Sequence, residues 1–160
     1  MSESRFPHLS GTGDARMVDV SGKTVTARTA TAAGRVLLSA ECVAALRDGT
    51  VPKGDALAVA RIAGIQGAKK TPDLIPLCHP LFLSGVDVVT DVTDEGVEIT
   101  ATVKTTERTG VEMEALTAVA VAGLAVIDMI KAIDRSAVIS DVRVLSKSGG
   151  RRGDWFREDD

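Results

Sequence analysis

The chain has 160 residues, 44% hydrophobic and 26% charged, with a formal charge of −3, which is the size and balance of one ordinary domain. Its slight acidity argues against general nucleic-acid binding, which needs a basic footprint, and with one Trp, three Phe and no Tyr there are no paired aromatics for base stacking. Cys42 and Cys78 form neither a C-x-x-C pair nor a zinc pattern, so a reduced, cytoplasmic setting is expected. The N-terminal MSESRFPHLSGTGDAR has no apolar signal-peptide stretch. The longest uncharged apolar run, Ala115 to Ile127, is 13 residues, which reads as a buried helix and not a membrane span.

Residues 1–15 are polar and rich in Ser and Gly, and read as a disordered leader before a single domain over 16–150. Lys23 to Leu38 has strand character from its Thr and Val. Ser39 can cap a short helix through Leu46, with Glu41 in the first turn and Gly49 just beyond. A second helix is expected from Asp55 to Lys69 and Lys70, stopped by Pro72, and Pro72 to Pro80 forms a stiff, irregular connection. Val97, Ile99, Ala101 and Val103 alternate with polar residues as a half-buried strand, paired with Phe82 to Val92 through a turn at Asp94-Glu95-Gly96. Thr109 and Glu112 have the spacing of a capping box, which opens a long helix from Gly110 to about Asp134. Val138 to Leu145 closes the domain as a strand, and residues 151–160 read as a mobile tail. Strand, helices, strand, strand, helix, strand is the order of a ferredoxin-like split βαβ, an α+β fold whose antiparallel sheet carries helices on one face.

Three of the four aromatics, Phe6, Trp155 and Phe156, lie near the termini, and Ala and Val make up 41 of the 71 hydrophobic residues. Such a core buries little area per residue, so close packing or oligomerisation must compensate, and the small residues of the long helix are expected to pack against a neighbouring subunit.

Candidate chemistry is sparse. Gly22-Lys23-Thr24 resembles the end of a phosphate-binding loop, but the glycine that pattern needs five residues earlier is Met17. In the long helix, Asp128 and Lys131 stand three apart within an otherwise apolar stretch. They are either an ion pair on a solvated stripe or a functional pair in a partly buried place. Glu112 and Glu114 open the same helix, where capping and dipole compensation are the plain alternatives to a role in chemistry. Glu114 lies roughly 21 Å from Asp128 along the axis at 1.5 Å per residue, so one subunit could hardly bring both to one reacting centre. A two-fold, antiparallel packing of two such helices could. Cys78-His79, held between Pro76 and Pro80, suits substrate positioning better than a nucleophile–base pair, because neighbours in extended chain point apart. Lys53, Lys147 and Arg28 are unremarkable by position alone.

Several blocks together carry a more specific signal: MVDVSGK at 17–23, KGDALAVARIAGIQGAKKTPDLIPLCHPL at 53–81, TGVEMEALTA at 109–118, DMIKAID at 128–134 and KSGG at 147–150. They resemble the molybdenum cofactor biosynthesis protein C family over nearly the whole chain. The resemblance implies a cyclic pyranopterin monophosphate synthase, a lyase converting 3′,8-cyclo-7,8-dihydro-GTP to cyclic pyranopterin monophosphate and diphosphate. It implies a homo-hexamer built as a trimer of dimers, with sites between subunits. On it, Asp128, Lys131 and Lys53 are catalytic, and Leu77, Cys78, His79, Glu112, Met113, Glu114, Arg28 and Lys147 contact substrate. No resident metal or redox cofactor is implied; magnesium could accompany the triphosphate, which Lys69 or Lys70 could also help receive. A non-catalytic nucleotide sensor on the same fold is the alternative.

Overall fold

The computed structural model describes residues 7–158. β1 (Thr26–Leu37) is followed by α1 (Ala40–Asp48) and α2 (Ala56–Leu74), then by β2 (Leu83–Thr93), β3 (Gly96–Glu107), α3 (Glu112–Ile130), β4 (Val138–Ser148) and a short β5 (Trp155–Phe156). The strands form one sheet in the order β2-β3-β1-β4-β5, each antiparallel to its neighbours. Its first four strands have the ferredoxin-like arrangement, because each helical crossover returns the chain two positions along the sheet and leaves room for one strand between.

Local sequence explains most of these elements. The Ser39 hydroxyl accepts the Cys42 N–H at 3.2 Å, and Gly49 takes the left-handed φ of 69° that ends α1. The Asp55 carboxylate accepts the Ala58 N–H at 3.0 Å to start α2. Pro72, expected to stop α2, instead sits within its final turn. The turn closes without a proline N–H because Ile75 donates to the Thr71 carbonyl at 2.9 Å and the buried Thr71 hydroxyl donates to that of Gly67 at 3.0 Å.

The expected capping box is absent. α3 begins at Glu112, with Val111 at the N-cap and no side-chain cap bond. Val111 is buried in the core, and anchoring that side chain decides the start of the helix two residues past Thr109. The far end is also shorter than expected, at Ile130. Asp134, beyond it, accepts the Ser39 N–H at 2.9 Å and the Ser136 hydroxyl at 2.6 Å, tying the end of α3 to the start of α1.

Ala30, Ala32 and Val36 of β1, Val97 to Val103 of β3, and Ala115, Ala118, Ala122 and Val126 of α3 form one buried cluster with Ala60 and Ala68 of α2. These small residues of α3 pack inside the subunit, against α2 and the sheet. A Cβ on Gly64 would lie 3.0 Å from the Ala118 carbonyl, and one on Gly67 would lie 2.9 Å from the Cβ of Val121. Gly67→Ala should consequently lower the melting temperature by a few degrees, even though Ala favours helices by about 1 kcal/mol, because the crowded Val121 Cβ is fixed to its own backbone. A thermal melt at or above that of the parent chain would contradict this packing. α3 is the one described helix long and apolar enough to cross a membrane, yet ten of its residues are buried within the fold, as in a core helix.

The opposite face of the sheet is polar. Thr31 and Thr102 share a 3.1 Å hydrogen bond across β1 and β3, and Arg35 lies 3.6 Å from Glu98 and 4.0 Å from Asp141.

Both termini differ from expectation where they can be described. Residues 1–6 of the expected leader lie outside the described residues, whereas Leu9 and Ala15 form a bridge that closes a turn built on Ser10, Thr12 and Asp14. At the other end, β4 runs three residues past Leu145, and the chain turns back to pair Trp155 with Lys147 and Phe156 with Ser146. Hence the segment expected to be a mobile tail contributes an edge strand.

Candidate active site

Three groups of polar residues stand apart in the fold, and two of them adjoin. The first is at the N-terminal end of α3. After α2 the chain makes a turn, with the Cys78 N–H donating to the Ile75 carbonyl at 3.1 Å. That turn carries Leu77, Cys78 and His79, all half-buried, to the first turn of α3. With Glu112, Met113 and Glu114 they line a cavity of about 260 Å³, which Val18 and Lys23 from the segment before β1 also border. Lacking a Cβ, Gly110 leaves the space that the Glu112 carboxylate occupies.

His79 is held by the segment before β1. Its Nε2 donates to the Val18 carbonyl at 2.5 Å, which assigns a proton to that nitrogen because a carbonyl can only accept. The Cys78 thiol is pushed up, first by burial and then by the charge of Glu114, so it is a neutral thiol and not a nucleophilic thiolate. Glu114 is only 3% exposed. Burial, reinforced by the neighbouring Glu112 charge and opposed by a backbone hydrogen bond, raises its carboxyl to about 7. A carboxyl in that range can both hold and release a proton near neutrality.

The second group forms a wide basic cavity of about 1010 Å³, lined by Lys23, Arg28, Lys147, Arg151 and Arg152 together with glycines and threonines. Arg28 is fixed by donating from Nε to the Glu107 carbonyl at 3.1 Å and from Nη2 to that of Arg108 at 3.2 Å. Thr26, whose hydroxyl is buried without a hydrogen-bond partner, also lines this cavity. Since Lys23 borders both cavities, the two are contiguous.

Lys53, Asp128 and Lys131 make the third group, at the opposite end of α3. Asp128 Oδ1 accepts from Lys131 Nζ at 2.9 Å and from Lys53 Nζ at 3.3 Å. These hydrogen bonds, Lys131's first, hold the Asp128 carboxyl below the usual carboxylate range. Lys53 reaches it from the turn before α2, where Gly54 supplies a φ of 106°. A partly buried pair is one reading of this spacing, but the Asp128 and Lys131 side chains are 59% and 56% exposed in the subunit. The apolar residues beside them, Val126, Met129 and Ile130, are buried on the inward side of α3.

The subunit thus joins Arg28 and Lys147 into one cavity and Cys78, His79, Glu112, Met113 and Glu114 into the next, while leaving Lys53, Asp128 and Lys131 roughly 21 Å away along α3. Lys69 and Lys70 do not line the basic cavity; both are exposed on α2, and Lys70 lies 3.9 Å from Asp73. Their place is taken by Lys23, Arg151 and Arg152. Reading the sequence for chemistry passed over Lys23 with the rejected phosphate-loop pattern, and assigned the arginines to a tail. The signal that could have found Lys23 was its place in the MVDVSGK block.

The structure is thus a ferredoxin-like α+β subunit that carries a lysine–aspartate–lysine trio and a cationic cavity. The chain belongs to the MoaC family, whose model matches residues 17–150. It is 67% identical over 156 residues to the cyclic pyranopterin monophosphate synthase of Streptomyces avermitilis, covering 98% of this chain and 92% of the relative. It is 66% identical over 155 residues to that of Streptomyces coelicolor, covering 97% and 91%. It is 64% identical over 162 residues to that of a Nocardioides species, covering 98% and 99%.

Proposed function

We propose that the chain is a cyclic pyranopterin monophosphate synthase acting on 3′,8-cyclo-7,8-dihydro-GTP, with the cyclic pyranopterin monophosphate and diphosphate as products. The observation that carries the reading is the basic cavity contiguous with a carboxylate-lined one, in a chain 67% identical to a protein of that name over 98% of its length. A triphosphate of about four negative charges suits Arg28 and Lys147, with Lys23 at the junction. The purine-derived rings then fall toward Leu77, Cys78, His79, Glu112, Met113 and Glu114. With no Phe, Trp or Tyr among the described residues lining that cavity, the ligand is held mainly by hydrogen bonds and charge.

Converting the cyclised purine into a pterin takes proton transfers and ring openings, for which Lys53 and Lys131 serve as general acid and base and Asp128 orients both. In the final closure a hydroxyl oxygen attacks the α-phosphorus, gives its proton to a base, and the bond to the β-phosphate breaks to release diphosphate. The cations of the basic cavity stabilise that leaving group. No redox cofactor is part of the proposal, and any magnesium travels with the phosphates of the substrate. Among the described residues, no cluster of His, Cys, Asp and Glu is arranged to hold a metal ion.

The distance between trio and cavities supports a site completed by a second subunit, within a cytoplasmic homo-hexamer arranged as a trimer of dimers. Incubating the protein with the cyclised nucleotide should release diphosphate and the cyclic pterin in equal amounts. Binding of that nucleotide without consumption would instead support a non-catalytic sensor.

A further inference from the structure

The C-terminal segment builds one wall of the basic cavity, through Gly150, Arg151 and Arg152. β5 consists of only two residues, too few to add much to a sheet already four strands wide. It is nonetheless fastened at several points. The Arg157 N–H donates to the Leu145 carbonyl at 2.8 Å, and its Nε to that of Val144 at 2.7 Å. The Arg157 guanidinium lies 5.7 Å from the centre of the Trp155 ring, within cation–π range.

Between β4 and β5 the chain closes a tight loop. The Gly149 N–H donates to the Asp154 carboxylate at 3.2 Å, and the Gly153 N–H to the Gly150 carbonyl at 3.2 Å. Gly149 and Gly150 take φ values of 83° and 81°, where a side chain is strained. A Cβ on Gly150 would also strike the Arg28 guanidinium, so the loop backbone lies directly against Arg28. This is the loop that carries Arg151 and Arg152 to the cavity wall, beside Lys147 from the other arm.

Lys23, Arg28, Lys147, Arg151 and Arg152 therefore line one cavity, and this concentration of positive charge suits a polyanion. We propose that Arg151 and Arg152 are polyphosphate-binding residues and that β5 is the latch that holds them over the cavity. Without β5 the loop would lose its C-terminal anchor on β4, and more of the ordering of two long side chains would fall on each binding event. Arginine suits this position because its planar fork can engage two phosphate oxygens at once. The inference deepens the proposed function, on which its physiological ligand rests, but the cavity's charge can be probed separately.

Calorimetric titration of the full chain with inorganic triphosphate tests it. Arg151→Gln/Arg152→Gln should weaken binding by about tenfold or more, and so should the latch variant Trp155→Gly/Phe156→Gly. Combining the two should cost no more than either alone, because both remove the same contact. Lys69→Gln/Lys70→Gln removes the same charge outside the cavity and should leave binding unchanged. With the cyclised nucleotide, the arginine variant should raise KM by a larger factor than it lowers kcat. Wild-type affinity in the arginine variant, an equal loss in the Lys69/Lys70 control, or no triphosphate binding by the parent chain would each overturn the proposal. If the latch variant fails to fold, the arginine variant and its control still decide the matter. A parent chain that binds triphosphate but leaves the cyclised nucleotide intact would defeat the enzymatic reading alone.

Discussion

Lys131→Ala should reduce turnover of the cyclised nucleotide by roughly a hundred- to ten-thousandfold, the range expected for loss of a positioned acid or base. The fold should be untouched, because the Lys131 side chain is 56% exposed and exposed ion pairs contribute little to stability. Asp128→Asn should act through both lysines, since the two ammonium groups share its Oδ1 and nothing else draws them together. Steady-state diphosphate release, read beside a thermal melt, separates lost chemistry from lost structure. Near-parental turnover in Lys131→Ala would sink its role. A second readout tests where the site is completed. Mixing inactive Lys131→Ala subunits with Arg28→Ala subunits should regain a measurable fraction of activity if trio and cavity come from different chains. A mixture that stays inactive after subunit exchange argues for a site within one chain.

Glu114 should make stability depend on pH in a direction opposite to that of most paired carboxylates. Its carboxyl is raised from 4.5 to about 7, chiefly by burial. In the unfolded chain it loses its proton first, so between those values the folded state binds more protons and unfolding becomes easier as pH rises. Below about 4.5 both states are protonated and the penalty is absent; above about 7 it is fully expressed. Glu114→Gln keeps the shape and cannot ionise, so at pH 8 it should be more stable than the parent by about 3 kcal/mol, at 1.36 kcal/mol per pH unit. The two should converge near pH 4. Denaturant midpoints measured from pH 4 to 8 check this, and parallel curves for the two proteins would refute it. Activity should respond the other way, because Gln can neither hold nor release the proton that this position offers the ligand.

Much of this was legible in the chain itself, for reasons that differ by element. Ser39 and Gly49 bound α1 as expected, since caps act through one or two local hydrogen bonds and a single φ. The β2–β3 hairpin followed from period-two alternation around Asp94-Glu95-Gly96, and its register runs unbroken from Val86↔Val103 to Thr93↔Gly96. The capping box failed because Thr109 and Glu112 meet a pattern that the burial of Val111 overrides. The role of the last residues was illegible because a two-residue run is too short to show a period, although Trp and Phe favour strands; β5 exists through its pairing with β4.

Local periodicity, caps and long motif blocks survive without knowledge of contacts, so fold class and family were legible in the chain, whereas Lys23, Arg151 and Arg152 were not singled out. Tertiary structure decided how those residues are grouped. It set Lys23, Arg28, Lys147, Arg151 and Arg152 around one cavity, and left the Lys53–Asp128–Lys131 trio exposed at the far end of α3. It also set Gly64 and Gly67 of α2 in close contact with the alanines and valines of α3, so that small side chains close-pack where aromatics are scarce. The physical reason is the same throughout: burial and charge clustering depend on segments distant in sequence, and only their packing fixes which groups lose water and which keep it.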